Sequence, residues 1–592
     1  MLSWQVIRQQ VFVHRKALLL ANIFALCSVL LSVPLPLMIP LLVDEVLLNQ
    51  PAQLSEWLSL ILPTAWSTPV GYILCVLVFV LLLRTVSLGL DVLQSQCFTR
   101  IGKDISFLLR QRLLDHLAIS RLQEFEALGA ASVSSRCIVD VETIDDFVSR
   151  ALSRFLINVL TVIGTLLVLF YINWILALVL ICLNPAMIIF ARSFGQRVRT
   201  MKSEENLAFE HLQQALVETL NAIQQIKSHR QEGPFFARIS HCAEVLKAKA
   251  IASQWKTEAI FQVNNTVYLA GYELFRVLAM FMVLFSGLSI GQMFAVFAYL
   301  WFLMGPIQEM LSLQYAYNQA DGALARLNEL LQLKTEQRLA PAQATNPFQD
   351  TAAVTIRFDN VSFGYSAQNP VLDRVNLTIA AGSKTALVAV SGGGKSTLVN
   401  LMLGLYEKTS GDILINEVSV ANIGYDLIRE HIVTVQQQPV FFNASLRQNL
   451  TQGRVDVTDD ALWQALKLAE LDNTVQGLPD GLDSSIGRDG VKFSGGQRQR
   501  LMIARMLLNP APVIVLDEAL SAVDALTEAR ILANLQPFMR DKTVLIISHR
   551  LSVLRQVDMI YVLEDGSVRQ AGSHSHLLQQ DGLYNTLYAL QS

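Results

Sequence analysis

The chain has 592 residues, with 46 Lys and Arg against 49 Asp and Glu and a formal charge of −3. That is enough length for several average domains, and a balance without the basic face that nucleic acid needs, so no nucleic-acid partner is expected. Apolar residues make up 52% and charged residues 16%, against about 25% charged in soluble domains; the deficit falls before residue 320 or so, which excludes a wholly soluble chain.

In chain order, Met1 to Lys16 is short and polar, with Arg8, Arg15 and Lys16. The apolar run that follows, 17–42, is too long for a signal peptide, and no small-residue cleavage site comes after it. It reads as a retained membrane helix. Further spans are expected at 70–90, 155–171, 174–191, 259–285 and 290–311, which makes six. Cys27, Cys75, Cys97, Cys137, Cys182 and Cys242 are scattered without CxxC spacing, so buried thiols are expected rather than disulfides or metal ligands.

Lys and Arg placement orients the spans. The loop from Leu47 to Pro69 has none, and the turns near Asn173 and Gly287 are nearly chargeless. The segments Arg100–Arg154 and Arg192–Lys256 are rich in them, so these segments and both termini are expected to be cytoplasmic, in a multi-pass protein of the cell (inner, cytoplasmic) membrane. Leu207, Leu212, Leu216, Leu220 and Ile223 recur at helical spacing, which extends the spans as long cytoplasmic helices. Each extension has a bend available to touch another domain. This gives a transmembrane domain over 1–332.

Residues 333–350, rich in Pro, Ala and polar residues, read as a linker, and 351–592 as an α/β domain. There the buried-strand pattern Thr385-Ala386-Leu387-Val388 runs into Ala389-Val390-Ser391-Gly392-Gly393-Gly394-Lys395-Ser396-Thr397 and then a helix. Strand, glycine-rich turn ending in Lys-Ser, and helix make a phosphate-binding loop. Backbone N–H groups and the helix N-terminus would surround phosphate; Lys395 would reach the β/γ-phosphates of ATP and Ser396 would hold Mg²⁺. Ala389 stands where a leading glycine is usual, and a positive φ there would cost about 1–2 kcal/mol. Asp517 closes the apolar strand Val513–Leu516 and is placed to serve Mg²⁺. Glu518 is the candidate general base. Ser548-His549 follows another apolar strand, Val544–Ile547, and His549 would contact the γ-phosphate.

The run Phe493-Ser494-Gly495-Gly496-Gln497-Arg498-Gln499-Arg500 resembles the signature motif of ABC transporters. Other pieces follow in that family's order. Tyr365 resembles the aromatic that stacks on adenine. Gln437, within three adjacent glutamines that leave its register open by one residue, resembles the glutamine joining the Mg²⁺ site to the membrane domain. Ser521-Ala522-Val523-Asp524 resembles the D-loop, and Ile486–Gly490 the loop preceding the signature. Phe493 and Leu520 depart from the usual Leu and Thr. Six spans followed by one nucleotide domain are similar to a half-transporter of the exporter-type (type IV) fold. The resemblance implies a dimer, in which Ser494, Gly495, Gly496 and Gln497 of one subunit complete the ATP site on the partner's phosphate loop. It also implies alternating access driven by hydrolysis and efflux of an amphipathic substrate (a lipid, a hydrophobic small molecule or a peptide). A homodimer is favoured, with a heterodimer half and an importer as alternatives. A soluble ABC ATPase or an ATP-gated channel fits less well.

Ionisable residues within spans are functional candidates. Asn265, Tyr268, Tyr272 and Arg276 share one face of the fifth span, with Glu273 spaced to pair with Arg276. Arg84 lies in the second span and Glu309 near the inner end of the sixth. Two readings stand for this stripe: interhelical pairing that holds the bundle, or the wall of a substrate cavity.

Overall fold

The computed structural model describes residues 2–48, 68–285, 288–336, 345–349, 351–366, 369–390, 392–437, 439–487, 490–548 and 550–589, with the side chains of 182–199, 264, 268 and 311 excepted. Ser391, His549 and the side chain of Tyr268 lie outside the described residues, as do most of the Leu47–Pro69 loop and Gly287. The chain forms two compact units: 1–115 with 134–332, and 116–133 with 333–592.

The first unit is helical. Five helical stretches among the described residues are long and apolar enough to cross a membrane: Arg15–Leu47, Pro69–Leu117, Ala130–Ile172, Glu232–Phe285 and Ile290–Leu331. The expected fourth span, 174–191, lies in the helix Trp174–Asn221, part of which has side chains outside the described residues. Asn173 ends one helix and caps the next, its Oδ1 accepting from the N–H groups of Ile175 and Leu176 at 3.0 and 3.2 Å. That chargeless turn needs a cap because the first N–H groups of a helix have no partner within it. One core forms around Leu169, Leu176, Phe275, Val296, Tyr299 and Leu303. Tyr299 is fully buried, and its hydroxyl donates to the Val33 carbonyl at 2.7 Å.

Several buried polar groups of this unit are paired, as burial favours. Ser153 donates to Gln94 Oε1 at 2.8 Å, and the Ser28 and Ser87 hydroxyls lie 2.9 Å apart. Asp44 caps the helix Ile290–Leu331 from afar. It accepts from Ser289 Oγ at 2.5 Å and from the Gly291 N–H at 2.9 Å. A Cβ at Gly291 would lie 2.5 Å from the Asp44 carboxylate and 2.7 Å from Pro40 Cα, so glycine there makes the approach possible.

The second unit is built on a six-stranded sheet. Its order is Ser567–Gly572, Met559–Glu564, Lys384–Ala389, Thr543–Ile547, Val513–Asp517, Ile432–Val435. The last five strands are parallel and the first is antiparallel to its neighbour. Side chains alternate across the sheet. Val388, Ile514, Leu516, Val544 and Ile546 face one core, while Leu387, Val513, Val515, Leu545 and Ile547 face the other. Strands buried on both faces read as continuous apolar runs, and each fully buried Val, Leu or Ile contributes about 1.5–3 kcal/mol. A four-stranded antiparallel sheet, Asn369–Ile379, Ile356–Ser366, Ser410–Ile415 and Val418–Ser419, adds the second layer.

Residues 116–133 join this unit although they belong to the first cytoplasmic extension in sequence. Ser120 bridges Thr335 in antiparallel fashion, the Arg121 N–H donates to the Lys334 carbonyl at 2.9 Å, and the Glu336 N–H donates to Ile119 at 2.8 Å. The short helix Leu122–Leu128 then packs Leu122 on the core that contains Tyr406.

Candidate functional site

Neighbouring parallel strands end at the same edge of the sheet, which is where α/β folds place ligands. Lys384–Ala389 leads to the glycine-rich loop, Val513–Asp517 to Glu518, Thr543–Ile547 to Ser548, and Ile432–Val435 to Gln437. Strand order alone therefore gathers four motifs that lie far apart in sequence.

The loop itself is shaped by its glycines. Gly392 and Gly394 hold φ of +80° and +87°, a region that a Cβ disfavours. A Cβ on Gly393 would lie 2.8 Å from the Ala389 Cβ and 3.0 Å from the Val390 carbonyl. Gly394 is the N-terminal cap of the helix Lys395–Met402. The result is a tight backbone turn that leads directly into the helix N-terminus. Ala389 is fully buried as the last strand residue and is not among the residues with positive φ, so the strain that a left-handed alanine would cost does not arise.

Lys395 is buried and donates to the carbonyls of Ala389 at 2.9 Å and Val390 at 3.3 Å. Burial lowers its pKa, opposed by the charges of Glu518 and Asp517. Ser396 Oγ donates to Asp517 Oδ2 at 2.8 Å. Burial pushes the Asp517 carboxyl up; the Ser396 bond opposes this, the Glu518 charge adds to it, and Lys395 lowers it. Gln437 Nε2 donates to Glu518 Oε2 at 2.6 Å. Glu518 has φ +47°, a conformation a non-glycine residue keeps only when its surroundings hold it.

Tyr365 is half exposed, which leaves part of its ring accessible. Its hydroxyl lies 3.1 Å from Thr397 Oγ1, and its edge meets Tyr406 with ring centroids 5.2 Å apart at 89°. The Tyr406 hydroxyl in turn donates to Glu126 Oε2 at 2.5 Å. Arg121 pairs with Glu407 beside it. The aromatic over the cradle thus connects to the segment 116–133 within one unit.

Ser494 caps the helix Gly495–Leu507 through a reciprocal capping box with Gln497, at 3.3 and 2.9 Å. A Cβ on Gly496 would lie 2.7 Å from the Ala522 carbonyl, so the signature glycine sits against the D-loop. Asp524 caps the helix Ala525–Met539 by accepting from the Thr527 N–H at 3.0 Å, and that N–H holds its carboxyl below the usual range. Three further residues escaped the sequence reading. Gln499 on the signature helix and Arg550 beyond the D-loop bond to the loop that follows Asp517, and Glu528 anchors Arg550. None carries a local pattern except Gln499, which lies within the signature run itself.

Among the described residues no group of three or more His, Cys, Asp or Glu is gathered as a metal site; the Ser396–Asp517 pair offers oxygens only. In the first unit, Arg276 Nη2 lies 2.8 Å from Glu273 Oε2, and Trp301 Nε1 donates to the Tyr272 hydroxyl at 3.2 Å. Asn265 is partly exposed and Arg84 exposed. Glu309 accepts from Asn158 at 2.7 Å and Arg154 at 3.2 Å.

Residues 37–307 match the family model for the ABC transporter transmembrane region, and residues 372–521 match that for the ABC transporter. An uncharacterised ABC transporter ATP-binding protein of Bacillus subtilis is 30% identical over 83% of this chain and 85% of its own length. An ATP-dependent lipid A-core flippase of Legionella pneumophila is 30% identical over 84% of each chain. A putative multidrug export ATP-binding/permease protein of Staphylococcus aureus is 30% identical over 82% of this chain and 83% of its own. A bacterial Atm1-family ABC exporter with ATP bound superposes with a TM-score of 0.80 at 26% identity, covering 98% of this chain and 100% of that one. Fused membrane helices, a phosphate cradle with its carboxylates at one sheet edge, and relatives matched over most of their length lead to one conclusion: the chain belongs to the ABC transporters, as an ATP-hydrolysing exporter with both regions on one polypeptide.

Proposed function

We propose that two copies of this chain form an exporter that carries an amphipathic molecule, a lipid or a hydrophobic small molecule, outward across a cytoplasmic-type membrane, with both termini in the cytoplasm. The observation that carries the ATPase part is the convergence on one edge of the cradle, Ser396–Asp517 at 2.8 Å and Gln437–Glu518 at 2.6 Å. Tyr365 offers the accessible part of its ring to adenine, the backbone from Ser391 to Gly394 receives the phosphates, and Lys395 and Thr397 close the cradle. Glu518 takes a proton from the attacking water, and His549 is assigned to the γ-phosphate from its sequence position. Oxygen donors of this kind suit Mg²⁺, and Ser396, Asp517 and Gln437 would hold it. Bound there, it would neutralise charge that develops on the phosphates.

Ser494, Gly495, Gly496 and Gln497 form a helix N-terminus suited to phosphate, and Asp524 lies in the adjoining loop. In a dimer these residues complete the partner's site, so ATP joins two nucleotide domains and hydrolysis releases them. The bond from Tyr406 to Glu126 offers a route from the adenine site to the membrane helices. The lipid A-core flippase and multidrug export names among the relatives support an amphipathic cargo, as does the pairing of Tyr272 with Trp301 in the fifth and sixth spans. Purified full-length chain in inverted vesicles should accumulate lipids or hydrophobic dyes with Mg²⁺ and ATP. ATP turnover without movement of any member of such a panel would sink the transport reading.

A further inference from the structure

The turn from Glu518 to Asp524 has to hold Glu518 in the left-handed region; Ala519, Leu520 and Val523 are buried in the core, yet a space remains beside them. A cavity of about 190 Å³ lies there, lined by Leu520, Leu532, Ile546, Val553, Glu528 and Arg550. Beside the backbone bonds from Glu518 N–H to Ile547 at 3.0 Å and from Ser521 N–H to Glu518 at 3.1 Å, a pair of polar brackets holds the turn. On one side Gln499 Nε2 donates to the Ser521 hydroxyl at 2.8 Å and the Glu518 carbonyl at 3.3 Å, while its Oε1 accepts from the Ala522 N–H at 2.8 Å. On the other, Arg550 Nη2 donates to the carbonyls of Ser521 at 2.9 Å and Val523 at 3.0 Å. Arg550 Nη1 is anchored on Glu528 Oε2, and Ser552 donates to the other Glu528 oxygen at 3.1 Å.

Glu528 is only 3% exposed. Burying an ion pair is a poor way to gain stability, because desolvation offsets the attraction. A planar guanidinium is nonetheless well suited to bridging a carboxylate and two carbonyls at once. Lysine cannot do this from the same position.

We propose that the Glu528–Arg550 pair is a positioning device for hydrolysis: with Gln499 it fixes the Ser521–Val523 turn, and through it the backbone of Glu518, without touching nucleotide. This rests on the reading of Glu518 as the base. A residue left in a sparsely populated conformation persists only when its surroundings over-determine it, and the two brackets add to that determination on the side where the cavity lies.

The test uses the full chain in lipid nanodiscs and measures ATP affinity, KM and kcat. Arg550→Lys and Glu528→Gln should each lower kcat by about 10²-fold, the usual cost of an ångström-scale misplacement, with KM and ATP affinity within roughly threefold of wild type. Gln499→Ala combined with Arg550→Lys should lose no more than the worse single variant, since both hold one turn. Unchanged kcat, losses confined to KM, or losses that multiply would overturn the inference. Should Arg550→Lys fail to fold, Ser552→Ala loosens the same anchor and should lower kcat roughly 2- to 10-fold at unchanged KM; no change there would overturn it equally. A wild-type chain without ATPase activity would overturn the underlying reading and this inference together, whereas active wild type with unaffected variants overturns this inference alone.

Discussion

At Glu518 a catalytic assignment and a backbone oddity fall on the same residue. Its side chain accepts from Gln437 while its φ is +47°. Glu518→Gln keeps the shape but removes the basic oxygen, so ATP should still bind while turnover falls by about 10²–10⁴-fold. Normal turnover in the purified variant would remove Glu518 from the mechanism. Ala389 makes the opposite case. The missing leading glycine looked like a possible penalty in sequence, but the residue ends a strand with ordinary φ. Ala389→Gly should leave ATP affinity within twofold or so and cost about 0.5–1 kcal/mol of stability, since glycine in a strand is the poorer choice. A marked gain in affinity on calorimetry would show that the alanine matters after all. The glycines of the loop were legible because positive φ and close approach leave few alternatives to glycine. Arg550 and Glu528 were not, because a guanidinium that meets a carboxylate 22 residues earlier leaves no periodic trace.

Elements divide along the same line. Three of the five parallel strands, at 385–388, 513–516 and 544–547, were readable as apolar runs, since burial on both faces removes any alternation, and the strand order then brings the motifs together. The segment 116–133 was expected only as part of a long cytoplasmic helix with a bend. Its seven-residue helix is too short for a periodic signal, and its fate is decided by partners such as Tyr406 and Lys334. If this segment passes the state of the adenine site to the membrane, Tyr406→Phe should leave ATP affinity nearly intact. It removes one hydrogen bond, worth about 0.5–1.5 kcal/mol, and should weaken the stimulation of ATPase by substrate. Stimulation equal to wild type in nanodiscs would dismiss the route.

For the molecule as a whole, every residue proposed for a composite ATP site is carried by this one sequence. The chain expressed alone should therefore form a dimer with ATPase activity. A chain inert alone and active only beside a second half-transporter would refute the homodimer. The fifth-span stripe belongs to this scale too, because a cavity exists only between helices. Glu273 and Arg276 do pair, at 2.8 Å, which satisfies charge that would otherwise cost about 2.5–3.5 kcal/mol each in lipid, and this is common to both readings of the stripe. Tyr272→Ala and Arg276→Ala should spare basal ATPase and weaken its stimulation by substrate. Cysteines at 265, 268, 272 and 276 should react with a water-soluble thiol reagent in the inward-facing pump; none reacting would leave the stripe structural.

The docking of residues 116–133 on the nucleotide unit bears on the order of biosynthesis. Glu126 leaves the ribosome 280 residues ahead of Tyr406, and at about 5–20 residues per second that is a wait of roughly tens of seconds. Throughout it, Leu122 has no core to cover it and Glu126 no hydroxyl to accept. Conversely, a fragment that starts after the last membrane helix would fold around a vacant seat for Leu122. Such a fragment should be less soluble and melt lower than the same domain supplied with a peptide of residues 116–133.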